Sequence, residues 1–193
     1  MGITVYGSVF GIIIILMAIV AMISIVYRSL RNGISPMPSS RAVRLAVAAE
    51  INSLTRVRKI VEAGSGWGTL AFSIARQGRM IKREVEPEIV GLENSAVPLL
   101  FSRLMSVILA EDTITFVRRD IYHHTYQGAD VVVCYLFPRA MQSLSSIFQE
   151  QLSVGTRVIS ICFALPGWVP EKVIVCEDMY HTRIYVYSVS ILG

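Results

Sequence analysis

Cysteine is scarce: Cys134, Cys162 and Cys176 are the only three in 193 residues, with no C-x-x-C pair and no neighbouring histidine pair. That spacing excludes a disulfide framework and a zinc site, so reduced cytosolic thiols and no bound metal are expected. Gly-Lys-Ser/Thr occurs nowhere, which excludes a phosphate-loop nucleotidase. There is no internal repeat and no low-complexity tract. No Lys or Arg precedes Arg28, whereas a secretory signal peptide opens on a basic stretch. Charge of one sign is also in short supply. The formal net charge is +4, but residues 28–50 hold +3 of it and residues 51–193 only +1. A nearly neutral body excludes the broad cationic surface of a nucleic-acid-binding domain, and no nucleic-acid partner is expected.

What the chain has is apolar material, 53% of its residues at a mean hydropathy of +0.57. Much of the excess lies at residues 3–27, which contain no charge. About 25 helical residues would reach roughly 37 Å, enough for a hydrocarbon core of about 30 Å. Residues 1–27 are therefore expected to be a single transmembrane anchor contacting the bilayer through residues 3–27. The arginines that follow place the remainder on the cytoplasmic side by the positive-inside bias, and their balance suits anionic lipid. Residues 28–40, rich in Gly, Pro and Ser, read as a basic juxtamembrane linker. Ser39 or Ser40 then caps a helix extending to about Asn52.

Residues 41–193 alternate strand and helix. Strands are expected at 58–63, 89–93, 113–117, 130–136 and 157–162, with helices at 67–77, 97–109 and 141–152 between them. Two further strands, 172–176 and 183–190, close the chain. Alternation ending in two consecutive strands predicts a three-layer α/β domain whose mostly parallel sheet carries a C-terminal antiparallel hairpin.

The segment Glu62-Ala63-Gly64-Ser65-Gly66-Trp67-Gly68 joins the first strand to the first helix. Glycines there let the backbone turn sharply and approach a ligand with no Cβ in the way. The helix behind them offers free N–H groups, and open α/β sheets bind ligands at this edge. The dinucleotide pattern G-x-G-x-x-G fails, because Thr69 stands at the third glycine position. A turn that merely packs helix on strand is the plainer alternative. Glu62 and Glu93 end the first two strands, where a carboxylate accepts from ribose hydroxyls, pairs with a cationic group or is simply solvated. Asp120, after the third strand, suits an adenine amino group with Ile121 beside the ring, or a loop contact with Arg118 or Arg119. His123 and His124 are a candidate base or solvated loop residues.

These residues carry a resemblance. Glu62 to Gly68 resembles the first motif of class I S-adenosylmethionine-dependent methyltransferases, and Gly91-Leu92-Glu93-Asn94 their acidic second motif. The stretch from Arg157 to Pro170, with Pro166-Gly167-Trp168-Val169-Pro170, is similar to the small membrane-anchored lysine methyltransferases typified by the ATP-synthase c-subunit enzyme. So are Arg118-Arg119-Asp120-Ile121-Tyr122 and Tyr135-Leu136-Phe137-Pro138. The resemblance implies a Rossmann-like methyltransferase sheet at residues 41–193 and S-adenosylmethionine as cofactor. It implies cofactor contacts from Glu62, Gly64, Ser65, Gly66, Gly68, Glu93, Asn94, Asp120 and Ile121. Two departures stand out: Glu62 is one methylene longer than the usual Asp, and Trp67 replaces a polar residue. Tyr135, Phe137 and Trp168 are candidates for an aromatic acceptor pocket, with ordinary packing as the alternative. The implied acceptor is lysine on a membrane-associated protein. A lipid or other small membrane molecule, or a non-catalytic cofactor-binding module, are the rivals.

Overall fold

The computed structural model describes residues 9–20, 22–23, 39–81 and 85–190, and the chain divides into two units, 1–36 and 37–193. In the first unit the described residues are helical and apolar, and nearly all their side chains are exposed. No helix among the described residues is long and apolar enough to cross a membrane. The remainder of the expected anchor, and the linker up to residue 38, lie outside the described residues.

The second unit is a seven-stranded sheet in the order β3-β2-β1-β4-β5-β7-β6. Its strands are β1 (Lys59–Ala63), β2 (Glu88–Glu93), β3 (Ile114–Arg118), β4 (Val131–Cys134), β5 (Arg157–Ile161), β6 (Lys172–Val175) and β7 (Arg183–Ser188). The first five pair in parallel and β7 runs antiparallel to both β5 and β6, so the expected hairpin is present. Register sets Glu62 beside Gly91 of β2 and Val133 of β4, and Gly91 beside Phe116 of β3. All four residues of β4 are buried, as a strand covered on both faces must be.

Four helices cover the sheet: α1 (Arg41–Asn52), α2 (Thr69–Met80), α3 (Ala96–Ile108) and α4 (Pro138–Gln151). One core joins Val47 and Ile51 of α1, Leu70 and Ile74 of α2 and Leu99 of α3 to Ile60, Ile89, Val133 and Ile159 of the sheet. The alternate strand residues face α4, as the contact of Ser160 Oγ with Met141 Sδ at 3.9 Å shows. The domain is thus three-layered, because strand side chains alternate faces and each apolar face needs its own helices.

Three boundaries differ from the sequence expectation. Helix α2 begins at Thr69 because Gly68, at φ +76°, closes the preceding turn. Strand β4 stops at Cys134, where pairing with β1 and β5 ends, so Tyr135 and Leu136 lie beyond it. Helix α4 starts at Pro138, whose missing N–H suits a first turn. Ser40 is the cap of α1, accepting from Val43 N at 3.2 Å. Its hydroxyl also donates to Asp178 Oδ2 at 2.9 Å, tying the start of α1 to the β6–β7 turn.

Candidate active site

At the carboxyl edge of β1 the chain turns through Gly64, Gly66 and Gly68, with φ of +79°, +52° and +76°. L side chains rarely adopt that region, which is why glycine recurs. The turn is pinned from β2: Leu92 O accepts from Gly64 N at 3.0 Å and Ser65 N at 2.8 Å. Glu93 completes the clamp, its Oε2 accepting from Gly66 N at 2.9 Å and its Oε1 from Ser95 N at 2.6 Å. A carboxylate has about four acceptor positions, so capacity for ligand hydroxyls remains.

The three glycines differ in what surrounds them. A Cβ on Gly68 would lie 2.6 Å from Phe116 Cζ, and one on Gly91 would lie 2.6 Å from Phe116 Cδ1. The Phe116 ring fills the space that two glycines leave. A Cβ on Gly64 would meet Leu136 at 2.7 Å, whereas one on Gly66 meets nothing within 4 Å. Of the three, Gly66 is therefore the one with open space beside it.

Two polar atoms at this edge are buried without a hydrogen-bond partner, Glu62 Oε2 and Ser65 Oγ. Burial pushes the Glu62 carboxyl up to about 8; the Ala71 N–H opposes the shift and the negative Glu93 adds to it. A buried acid with one unpartnered oxygen beside the glycine turn fits a ligand that brings positive charge and donors.

The other expected residues fall into two groups. Arg119 N donates to Glu93 O at 3.2 Å, which sets the residues after β3 beside those after β2. There Asp120 caps a 3₁₀ turn (Ile121–His123), its Oδ1 accepting from Tyr122 N at 2.9 Å. Tyr126 donates to Ile121 O at 2.8 Å and steadies that turn. Asn94 is half-buried next to the Glu93 clamp, accepting from Ser95 Oγ at 3.4 Å. His123 is exposed and His124 half-buried, its imidazole held below the usual range by burial and then by Arg119 and Lys59.

Tyr135 and Phe137 follow β4, both half-buried. Burial raises the Tyr135 phenol, with Cys162, Asp178 and Tyr180 contributing in that order. The half-buried Trp168 donates from its Nε1 to Ser145 Oγ of α4 at 2.9 Å, and its ring meets Tyr187 edge-on at 5.9 Å. That indole packs the α4 face. Sequence reasoning overlooked Phe116, an unremarkable strand residue until its ring is seen against Gly68 and Gly91. It also overlooked Asp178, held by Thr182 N, Thr182 Oγ1 and Ser40 Oγ. Its partner Ser40 lies 138 positions away, and no local pattern signals such a contact. Cys162, at φ +72° just after β5, was likewise invisible from composition. Among the described residues no group of His, Cys, Asp or Glu could hold a metal.

A glycine cradle clamped by an acid from the next strand, in this sheet order, defines the S-adenosylmethionine-dependent methyltransferase fold. Solved structures agree. An RNA methyltransferase from Salinibacter ruber in complex with S-adenosyl-L-homocysteine is 24% identical, covers 81% of this chain and 96% of its own, and has a TM-score of 0.69. Magnesium protoporphyrin IX methyltransferase from Synechocystis with bound SAM is 17% identical, covers 77% and 78%, and has a TM-score of 0.58. The family is narrower: the chain belongs to the ANTKMT methyltransferase domain family, whose model matches residues 62–172. A protein-lysine N-methyltransferase of Saccharolobus islandicus (strain REY15A) is 32% identical over 78 residues, 39% of this chain and 48% of the relative. The adenine nucleotide translocase lysine N-methyltransferase of Mus musculus is 30% identical over 127 residues, 63% of this chain and 52% of the relative. The chain thus spans about half the length of these curated relatives.

S-adenosylmethionine is the cofactor of this fold, and the residues present fit it. Glu93 keeps acceptor positions that would suit ribose hydroxyls, nothing lies within 4 Å of a Cβ on Gly66, and the buried Glu62 Oε2 has no hydrogen-bond partner. Glu93→Gln should weaken cofactor binding roughly tenfold, since an amide N–H would oppose the Gly66 or Ser95 N–H. Calorimetric titration checks this, and unchanged affinity would remove Glu93 from the site.

Proposed function

We propose that this chain is an S-adenosylmethionine-dependent methyltransferase acting on lysine side chains of a membrane-associated protein. The observation that carries the reading is the Glu93–Gly66 clamp at the sheet edge, inside the segment that matches the family model. When bound, the cofactor supplies a methyl group on a sulfonium, open to in-line displacement by an amine. The chain's own work is positioning, which contributes much of the rate in such transfers. Glu93, Asn94 and the glycine turn hold the cofactor, while Asp120 and Ile121 flank the adenine position.

The lysine ammonium must lose its proton before its nitrogen attacks. Half-buried Tyr135 and Phe137, beyond β4, offer an apolar aromatic approach that lowers an amine's pKa by desolvation. The same rings hold a methylated ammonium by cation–π attraction. Lysine is the acceptor in the names of both curated relatives, and the near-neutral charge of residues 51–193 gives little hold on nucleic acid.

Membrane association is part of the proposal. Its support is the uncharged run at residues 3–27 and the exposed apolar side chains around helical residues 9–20. A helix apolar on all sides belongs in lipid or inside protein. The arginines after the run put the methyltransferase domain on the cytoplasmic side.

Incubating the full chain with membranes and methyl-radiolabelled S-adenosylmethionine tests the acceptor. Label is expected in protease-sensitive bands, and mass spectrometry should locate it on lysine. Label partitioning into organic solvent would instead establish a lipid acceptor, and cofactor binding without any label would establish a non-catalytic module.

A further inference from the structure

Helix α3 is built inside out. It buries Pro98, Leu99 and Ser102, and the Ser102 hydroxyl is satisfied by donating to Leu99 O at 2.9 Å. Its apolar bulk faces outward instead: Leu100, Phe101, Leu104, Val107 and Ile108 are all exposed, Leu100 to 71% and Val107 to 78%. At 3.6 residues per turn these five fall on one side of the helix, in a stripe roughly 12 Å long. Single exposed leucines need no explanation, but a continuous stripe does. It begins beside the cofactor cradle, where Trp67 of the glycine turn packs against Phe101 at 5.3 Å. At the far end Leu109 is exposed too. There the bidentate Arg79–Glu111 pair ties the end of α2 to the turn after α3, and Met80 and Ile81, next to Arg79, are also exposed.

Charge narrows the choice of occupant. Helix α3 contains no acidic residue and one cation, Arg103, exposed with its Nε–H donating to Phe116 O. Nothing along the stripe repels anionic headgroups, and a tryptophan at its end suits a water–hydrocarbon boundary. The same chain carries an uncharged run of 25 residues followed by four arginines. We propose that α3 is a membrane-contact element whose Leu100, Phe101, Leu104, Val107 and Ile108 enter the headgroup–acyl boundary of an anionic bilayer, with Trp67 at that boundary. The inference rests on the membrane-associated reading above and adds a specific surface. It sets the cofactor cradle one ring contact from the lipid, so the accessible lysines are those near the membrane surface.

The test uses the full chain in vesicles of phosphatidylcholine and phosphatidylglycerol, with brominated acyl chains as quencher. The sequence has two tryptophans, so Trp168→Phe leaves Trp67 as the only reporter. Its fluorescence should fall roughly twofold in brominated vesicles, and adding Leu100→Asn and Leu104→Asn should restore most of it. Circular dichroism establishes that each variant is folded. Absent quenching in vesicles that keep the chain through an alkaline wash overturns the contact and leaves the tether intact. A chain stripped by that wash overturns the tether, while quenching measured before the wash still supports the contact. Quenching unaffected by the double substitution overturns the assignment to α3. So does concentration-dependent dimerisation that the same substitutions abolish, because the stripe would then belong to a second copy.

Discussion

Gly66→Ala and Gly68→Ala, two positions apart in one turn, should fail in opposite ways. At Gly68 the new methyl would lie 2.6 Å from Phe116 Cζ and 3.0 Å from Phe72 Cε2. The Phe116 ring has little room to move, because the same Cδ1–Cε1–Cζ edge also fills the space beside Gly91 and the ring is packed near Phe72 at 5.5 Å. Left-handed backbone for alanine costs about 1–2 kcal/mol, and overpacking adds about 1–3 kcal/mol. A loss of about 2–5 kcal/mol removes much of the stability of an ordinary domain. Urea denaturation should show it, and Phe116→Leu in the Gly68→Ala background should recover part of it. At Gly66 the methyl meets nothing within 4 Å, so only the backbone cost of about 1–2 kcal/mol remains and the protein should fold. Its methyl would occupy the open side of the cradle, and S-adenosylmethionine affinity should fall by roughly two orders of magnitude. Equal stability losses in the two variants, or full affinity in Gly66→Ala, would refute this division of labour.

Glu62 should make the free protein lose stability as the solution becomes more alkaline. Its carboxyl is raised from 4.5 to about 8 by burial. Between those values the folded chain holds a proton that the unfolded chain has released, so this group's contribution is fully present below about 4.5 and disappears as pH climbs through about 8. The maximum slope is about 1.4 kcal/mol per pH unit and the whole effect is about 3–5 kcal/mol. Cofactor binding reverses the preference, because a cation seated beside Glu62 favours the carboxylate. Affinity should therefore rise with pH up to about 8, with a proton released on binding. Melting curves from pH 5 to 9, together with titrations in buffers of different ionisation enthalpy, measure both effects. In Glu62→Gln the slope and the released proton should vanish; if Glu62→Gln keeps the wild-type pH profile, the assignment to Glu62 is wrong.

Much of this architecture was legible before any coordinates. Apolar and β-branched runs located all seven strands, and the two consecutive runs at the end became the β6–β7 hairpin. Boundaries slipped where tertiary pairing decides them. Tyr135 and Leu136 continue the apolar character of β4, yet pairing ends at Cys134. The glycine turn and Glu93 were legible as a pair because both stand at fixed places in the strand–turn–helix pattern. Their direct hydrogen bond, 27 positions apart, was not. The contacts of Trp168 were equally hidden: its place after β5 was legible, its hydrogen bond to Ser145, 23 positions away, and its ring contact with Tyr187 were not.

The one-dimensional pattern determined the uncharged apolar run, the near-neutral body, the α/β alternation and the glycine turn, because each depends on local spacing or on composition. Only the tertiary structure decided that Phe116 fills the space left by Gly68 and Gly91, that Glu62 is buried with one carboxylate oxygen unpartnered, and that α3 turns its apolar side outward. Those outcomes depend on which distant residues share a face of the sheet, and on which faces find a covering layer. Periodicity predicts that α3 has an apolar side; whether that side is buried depends on what the rest of the chain places against it.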